Sequence, residues 1–136
     1  MSEQRVLVDT SVLIDPPSVE ELEANGLLAA ESAISPISLA ELHKGVLLAA
    51  QDDERALRLR RLAAIEARHE ALPFDTPAAR VFGRYMAEAK RGKLGLRVRD
   101  AIIAATAEAN RLAVLSRDAD FQRFGADLVA LGRGGR

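Results

Sequence analysis

Four acidic residues of this chain fall where an enzyme built on a sheet binds its ligands: Asp9, Glu41, Asp100 and Asp118. The first and last each follow a short apolar run, and the middle two lie at or near the start of a predicted helix. In open α/β sheets, ligands bind beyond the carboxyl ends of the strands. Carboxylates that converge there repel one another unless a cation neutralises them, and an all-oxygen site suits Mg²⁺ or Mn²⁺. The four acids therefore form a candidate metal site.

Each acid also has a purely structural interpretation. Asp9 could cap a strand-to-helix turn, Asp100 could cap a helix, and Asp118 could form an Asx turn. Glu41 could complete a capping box with Ser38, three residues earlier. These alternatives stay open for each acid alone, but an acid that ends a fully apolar strand, as Asp9 does, makes the joint pattern harder to explain structurally.

Strands and helices alternate along the chain and must position these acids. Apolar runs predict strands at 6–8, 33–37, 113–116 and 128–131, with a turn following the first of them. Helices are predicted from Ser38, over 52–70, from Thr76 as N-cap to about 91, over 101–110 and, after a turn, before 124. Such alternation predicts a three-layer α/β/α domain with a central, mainly parallel sheet.

The charge of the chain is polarised along its length. The 136 residues carry a formal net charge of −1, yet residues 1–54 hold 11 acids and two bases, whereas residues 55–136 hold 17 bases and nine acids. This asymmetry favours a nucleic-acid partner, because phosphate binding needs concentrated positive charge. The absence of cysteine excludes thiol catalysis and a disulfide framework. No apolar run approaches the roughly 20 residues of a membrane span, so we expect a cytoplasmic protein without a membrane segment.

Four segments of the chain together resemble the motif blocks of the PIN-domain nucleases. They are 6–14 (VLVDTSVLI), 35–45 (SPISLAELHKG), 99–107 (RDAIIAATA) and 114–121 (VLSRDADF). Their order and spacing match that family from about residue 5 to residue 131, and within it the chain looks most like the VapC toxins of toxin–antitoxin pairs. The resemblance implies one PIN-like domain over residues 1–136, with 132–136 as a loose tail, and a Mg²⁺-dependent endoribonuclease that is usually homodimeric and restrained by a partner antitoxin.

The resemblance also implies roles for individual residues. The four acids would bind Mg²⁺, or Mn²⁺, and be the catalytic residues, with metal-activated water attacking the RNA phosphodiester. Ser11 and Ser116 stand where the family often has asparagine and threonine, and we expect them to support the metal ligands. The fourth block holds two acids, of which Asp118 is preferred because it lies nearer the strand end, with Asp120 assisting.

Basic residues close to the acids in sequence are candidate RNA contacts: Lys93, Arg97, Arg99 and Arg117. Each is equally compatible with a solvated surface position.

The early helices carry more leucine than one buried face needs, including Leu28, Leu42 and Leu47. A dense core would account for this excess. The resemblance instead suggests a groove that receives an antitoxin helix, with a basic side chain of the partner entering the acidic site. The helix over 76–91 is a candidate dimer face through Val81, Phe82, Tyr85 and Met86.

Two other functions remain as alternatives. The first is a catalytically silent PIN-like module that binds RNA or a protein, and metal-dependent RNA cleavage would discriminate against it. The second is a phosphoryl-transfer α/β protein, which would need an acid pair beside the first strand, where this chain has Asp9 followed by Thr10 and Ser11.

Overall fold

The computed structural model describes residues 4–125 and 127–132, and five strands within them form one parallel sheet. The strands are β1 (Arg5–Val8), β2 (Glu31–Ile34), β3 (Glu70–Ala71), β4 (Ala113–Ser116) and β5 (Leu128–Ala130). Their order is β3-β2-β1-β4-β5, and every neighbouring pair is parallel. The predicted α/β class with a central parallel sheet is confirmed. All but the first residue of the predicted tail, 132–136, lies outside the described residues.

Helices cover both faces of this sheet. They are α1 (Thr10–Ile14), α2 (Val19–Ala24), α3 (Pro36–Leu47), α4 (Asp52–Arg68), α5 (Thr76–Arg91), α6 (Val98–Ala109) and a 3₁₀ helix (Ala119–Phe124). The sequence patterns did not predict α2, in which Ser18 and Glu21 form a capping box. No helix of the described residues is long and apolar enough to cross a membrane.

Adjacent strand residues point to opposite faces, so each face has its own core. Leu7 and Val114 lie side by side in the sheet and pack with Tyr85 of α5 and with α6, in which Ala101, Ala104, Ala105 and Ala107 are fully buried. Their neighbours Val8 and Leu115 point the other way and pack with α1 and with Ile65 of α4. The chain runs from β1 outward through β2 to β3 and then returns to β4, so the order reverses between β1 and β4. Ligands bind at such a switch point in doubly wound sheets.

The start of α3 differs from the prediction. The strand predicted over 33–37 ends at Ile34, because Pro36 begins the helix and Ser35 caps it, accepting a hydrogen bond from the N–H of Ile37 at 3.2 Å. Ser38 lies inside the helix. The predicted capping box of Ser38 and Glu41 is therefore wrong.

Three other element starts are also shifted. The residues after β1 form α1 at once rather than a turn. Asp75, not Thr76, caps α5 by accepting a hydrogen bond from the N–H of Ala78. Helix α6 begins at Val98, so Asp100 lies within its first turn instead of capping it.

Candidate active site

Asp9 lies at the centre of the site, between the carboxyl ends of β1 and β4. Its backbone N–H donates to the carbonyl of Leu115 at 2.9 Å, which fixes the residue at the end of the strand pair. The side chain is 4% exposed. Its Oδ2 accepts hydrogen bonds from the hydroxyls of Ser11 at 2.8 Å and Ser116 at 2.9 Å. The structure thus places both predicted supporting serines against the most buried acid.

The guanidinium of Arg99 joins three of the four acids. Its Nη2 donates to Asp9 Oδ1 at 2.7 Å, its Nε to Glu41 Oε2 at 2.7 Å and its Nη1 to Asp100 Oδ1 at 2.6 Å. Burial opposes the charge of Arg99, but the hydrogen bonds that it donates to Glu41, Asp100 and Asp9, together with the negative charge of Asp9, outweigh burial and raise the pKa of the guanidinium. Arg99 was predicted as an RNA contact, and the structure places it inside the acidic cluster.

Two hydroxyl residues that were not predicted as site residues extend the hydrogen-bond network around Glu41: Thr10, which contacts it directly, and Ser38, which contacts Thr10. Thr10 donates from Oγ1 to Glu41 Oε1 at 2.7 Å and accepts from Arg99 Nη2 at 3.0 Å. The hydroxyl of Ser38, fully buried in α3, lies 2.9 Å from that of Thr10. The available signal was the run of small polar residues directly after Asp9, which short-range spacing could not connect to α3.

A second arginine links the remaining acids. Arg97 Nη1 lies 3.4 Å from Asp100 Oδ2, 3.7 Å from Asp118 Oδ2 and 2.9 Å from Asp120 Oδ2. Asp118 and Asp120 are more exposed than Asp9 and Asp100, so they form the outer edge of the cluster. Asp118 contacts Arg97 whereas Glu41 contacts Arg99, and the structure does not bring the four predicted acids around a single metal position.

The structure removes the local structural explanation, capping, from three of the four acids. The side chain of Asp9 makes no capping bond, Glu41 has no capping box, and Asp100 is not an N-cap. The Asx turn at Asp118 is present, because its Oδ1 accepts a hydrogen bond from the N–H of Asp120 at 2.9 Å. Only Asp118 therefore keeps its structural explanation.

The side chains of the cluster are of the type that binds a divalent cation, but their present arrangement does not form a binding site. Carboxylate and hydroxyl oxygens are hard ligands of the type that Mg²⁺ and Mn²⁺ prefer. Within residues 4–125 and 127–132, however, no three histidine, aspartate or glutamate side chains could hold one metal ion together. Every buried side-chain nitrogen or oxygen in the same part of the chain has a hydrogen-bond partner, so the charge of the acids is compensated from within the chain.

Arg117, predicted as an RNA contact, is instead a structural residue. Its side chain is 7% exposed and donates to the backbone carbonyls of Asp15 at 2.9 Å and Gly132 at 2.5 Å. It also pairs with Glu21 at 3.2 Å, and this hydrogen bond lowers the pKa of the Glu21 carboxyl. Arg117 thus ties the end of β4 to α2 and to the last described residue.

Replacing Arg117 by glutamine is expected to lower the free energy of unfolding by about 2 kcal/mol, because the carbonyls of Asp15 and Gly132 and the carboxylate of Glu21 lose a charged donor whose own side chain is buried. Urea denaturation of the two proteins measures the difference. Arg123→Gln is the matched control, since the exposed guanidinium of Arg123 makes one backbone hydrogen bond at 3.2 Å. That control should change stability by less than about 0.5 kcal/mol. Equal losses for the two variants would contradict the structural role of Arg117.

A cleft of about 490 Å³ opens beside the acidic cluster, between α3 and α4. Glu41 and Arg99 line its inner side, and Arg58 and Arg61 of α4 line its outer side. Arg58 is held by a backbone carbonyl of α3 at 2.6 Å and by an ion pair within α4, whereas the exposed Arg61 extends over the cleft. The arginine-rich composition of α4 was visible in the sequence, but not which arginines face this cleft.

An apolar groove of about 670 Å³ lies on the sheet face that carries α1, α2 and α4. Its floor is formed by strand residues, and its walls by α1 and the segment after α2 on one side and by α4 on the other. The exposed apolar side chains on one wall are Ile14 and Leu28, and the basic side chains on the other are Arg61 and Arg68. Leu47, one of the leucines that exceed the needs of a buried face, is 64% exposed and is not among the residues that line the groove. Ile14 and Arg61 line both the groove and the cleft, so the two cavities adjoin.

The predicted dimer face of α5 belongs mostly to the core of the chain itself. Tyr85 is buried and donates to Glu108 at 2.8 Å, while Val81 and Phe82 pack against the core beneath α5. Met86 is the exposed member of the predicted set. The dimer stays a prediction.

The arrangement of acids at the switch point agrees with the family comparison. The model of the PIN domain family matches residues 6–127, which contain all four acids. The chain belongs to the PIN-domain family. The match covers β1 through the 3₁₀ helix, so this PIN domain includes both the acidic cluster and the apolar groove.

Relatives place this PIN domain in the VapC group. Ribonuclease VapC5 of Mycobacterium tuberculosis is 38% identical over 115 residues, which cover 85% of this chain and 84% of the relative. Ribonuclease VapC4 of the same organism is 31% identical over 121 residues, covering 89% and 92%. The crystal structure of VapBC-5, a member of the VapBC family of toxin–antitoxin systems from that organism, has a TM-score of 0.77 and 33% identity, and the match covers 94% of this chain and 98% of that one.

Proposed function

We propose that this PIN domain is a metal-dependent endoribonuclease and the toxin of a toxin–antitoxin pair. The observation that carries the proposal is the convergence of Asp9, Glu41 and Asp100 on one cationic group at the switch point of the sheet. These acids come from three separate segments of the chain, and local structure explains none of them. Relatives named as ribonucleases support the same activity.

Asp9 and Asp100, with Glu41, are the side chains that would hold a divalent cation. Such an ion would lower the pKa of a water molecule and offset the charge on the scissile phosphate. The hydroxyls of Ser11 and Ser116 orient the carboxylate of Asp9, and that of Thr10 orients Glu41. Asp118 and Asp120 lie further out, where Arg97 contacts both.

The RNA backbone would approach this site between two groups of basic side chains. Arg97 and the exposed Lys93 lie on the side of α6, and Arg61 lies across the cleft on α4. Phosphate contacts of this kind position a strand without reading its sequence. Arg117 is excluded from this set, because its guanidinium is buried among structural partners.

Purified protein with Mg²⁺ or Mn²⁺ is expected to cleave single-stranded RNA, and excess EDTA is expected to abolish cleavage. A gel assay with end-labelled RNA measures both results, and re-addition of Mn²⁺ to the chelated sample controls for irreversible damage. Binding of RNA without cleavage in both Mg²⁺ and Mn²⁺ would contradict the enzyme and favour a catalytically silent module. That alternative is favoured by one observation, the internal compensation of the acids by Arg99.

The antitoxin would bind in the apolar groove as an amphipathic helix. The related VapBC-5 structure is a member of a toxin–antitoxin family, which supports a protein partner for this chain as well. The groove offers exposed Ile14 and Leu28 to an apolar helix face, and Arg61 and Arg68 to acidic residues at its edge. Because the groove adjoins the cleft, a basic side chain at one end of that helix would reach towards Glu41.

A further inference from the structure

We propose that Arg99 is a built-in counter-cation that occupies the place of the divalent ion, so that the ion binds only when this side chain leaves the acidic cluster. The inference rests on the proposed metal-dependent function and adds to it a competition within the chain itself.

The first argument is that Arg99 uses the oxygens that an ion would need. Its three nitrogens donate to one oxygen each of Asp9, Glu41 and Asp100 at 2.6–2.7 Å. A fourth bond, from Nη2, reaches the hydroxyl of Thr10 at 3.0 Å. Four of the five N–H groups that a guanidinium carries are thus engaged. A metal ion and the Arg99 guanidinium cannot both use these oxygen lone pairs at the same time.

The second argument concerns charge. Three carboxylates in a partly buried cluster repel one another, and a single cation among them removes most of that repulsion. Arg99 supplies this cation in the absence of a metal ion, and its hydrogen bonds are charge-assisted and therefore stronger than neutral ones. A divalent ion placed beside Arg99 would bring two like charges together, so each cation disfavours the other.

The third argument is that the side chain of Arg99 borders an open cleft into which it could rotate. This side chain is 33% exposed and lines the cleft of about 490 Å³ between α3 and α4. Rotation outward would therefore move the guanidinium into the solvent-filled cleft that Arg61 also lines. In that position it would carry its charge to the cleft where we propose that the RNA backbone lies.

The test compares Mn²⁺ binding to the wild type, Arg99→Gln and Arg97→Gln by isothermal titration calorimetry. Arg99→Gln should bind Mn²⁺ at least about tenfold more tightly than the wild type, because the ion no longer competes with charge-assisted hydrogen bonds. Arg97→Gln removes the same charge from the outer edge and should stay within about threefold of the wild type. Without metal, Arg99→Gln should melt at a lower temperature, and saturating Mn²⁺ should raise its melting temperature more than that of the wild type.

Three results would overturn the inference. They are an affinity of Arg99→Gln no higher than that of the wild type, an equal gain for Arg97→Gln, and an equal thermal response to Mn²⁺ in all three proteins. If Arg99→Gln does not fold, Arg99→Met serves instead, since it keeps a long side chain but removes both the charge and the hydrogen-bond donors, and its Mn²⁺ affinity must again exceed that of the wild type. Metal-dependent RNA cleavage by the wild type without these differences would refute only this inference. Absence of Mn²⁺ binding in every variant would refute the proposed function as well.

Discussion

Replacing Asp9 by asparagine is expected to lower the rate of metal-dependent RNA cleavage by at least about 100-fold. Asparagine keeps the size of the side chain but removes the charge from the most buried acid of the cluster. In the wild type the hydroxyls of Ser11 and Ser116 donate to Asp9 Oδ2. The variant presents an amide N–H₂ or a neutral amide oxygen to these hydroxyls instead. Single-turnover cleavage of end-labelled RNA in Mg²⁺ measures the effect, and thermal melting shows whether the variant remains folded.

Asp118→Asn is the matched comparison, because it makes the same chemical change at the outer edge of the cluster. Asp118 is about half exposed, and it caps the 3₁₀ helix, a role that asparagine also performs. We expect this variant to lose less than about tenfold in rate, well under the loss at Asp9. Equal losses at the two positions would restore the arrangement of four equivalent acids implied by the sequence resemblance. Full activity of Asp9→Asn would remove Asp9 from the catalytic machinery.

The acids could be placed from the sequence because strand ends are local signals. An apolar run that stops at an acid predicts where the carboxylate emerges from the sheet, and parallel strands bring such ends to one edge. Helix starts were less certain, because α3 has two serines within one turn that could cap it. Pro36 decides between them, since proline fits the first turn and leaves Ser35 as the cap.

Arg99 and Arg117 show which contacts cannot be predicted from local sequence patterns. Arg99 meets Asp9 across 90 positions of the chain, and Glu41 across 58, so nothing in local spacing indicated either contact. Arg117 was placed near RNA because it precedes Asp118. Its real partners include Glu21 of α2, a helix that was not predicted, so its burial could not be predicted either.

The apolar groove is a further case. The excess of leucine was visible in the sequence, but the sequence did not decide whether those leucines are buried or form a binding surface. An excess of leucine in the early helices is compatible with a dense core or with a surface for a partner. The structure divides that excess, because Leu27 is buried in the core of the sheet face while Leu28 stays exposed at the groove. An exposed leucine beside a long apolar groove is the arrangement expected of a protein interface.

Replacing Leu28 by aspartate is therefore expected to weaken binding of the proposed antitoxin by at least about 30-fold, as for a central interface residue. Leu28 is 56% exposed, so a charge there should leave the fold and the RNA cleavage of the free protein unchanged. In the complex the same charge would be buried against the apolar face of a helix, where it has no partner and pays the cost of desolvation. Titration calorimetry with the full-length antitoxin measures the affinity.

Leu59→Asp provides the control, since Leu59 is a leucine of similar exposure, 51%, on α4 but outside the residues that line the groove. It should change the affinity by less than about threefold, because a charge that stays in solvent loses no hydration. If both variants bind the antitoxin as tightly as the wild type, the partner does not use the groove. If both bind weakly, the interface extends over α4. A loss at Leu28 alone, with RNA cleavage retained, would assign antitoxin binding to the groove and show that it is separate from the proposed catalytic cluster.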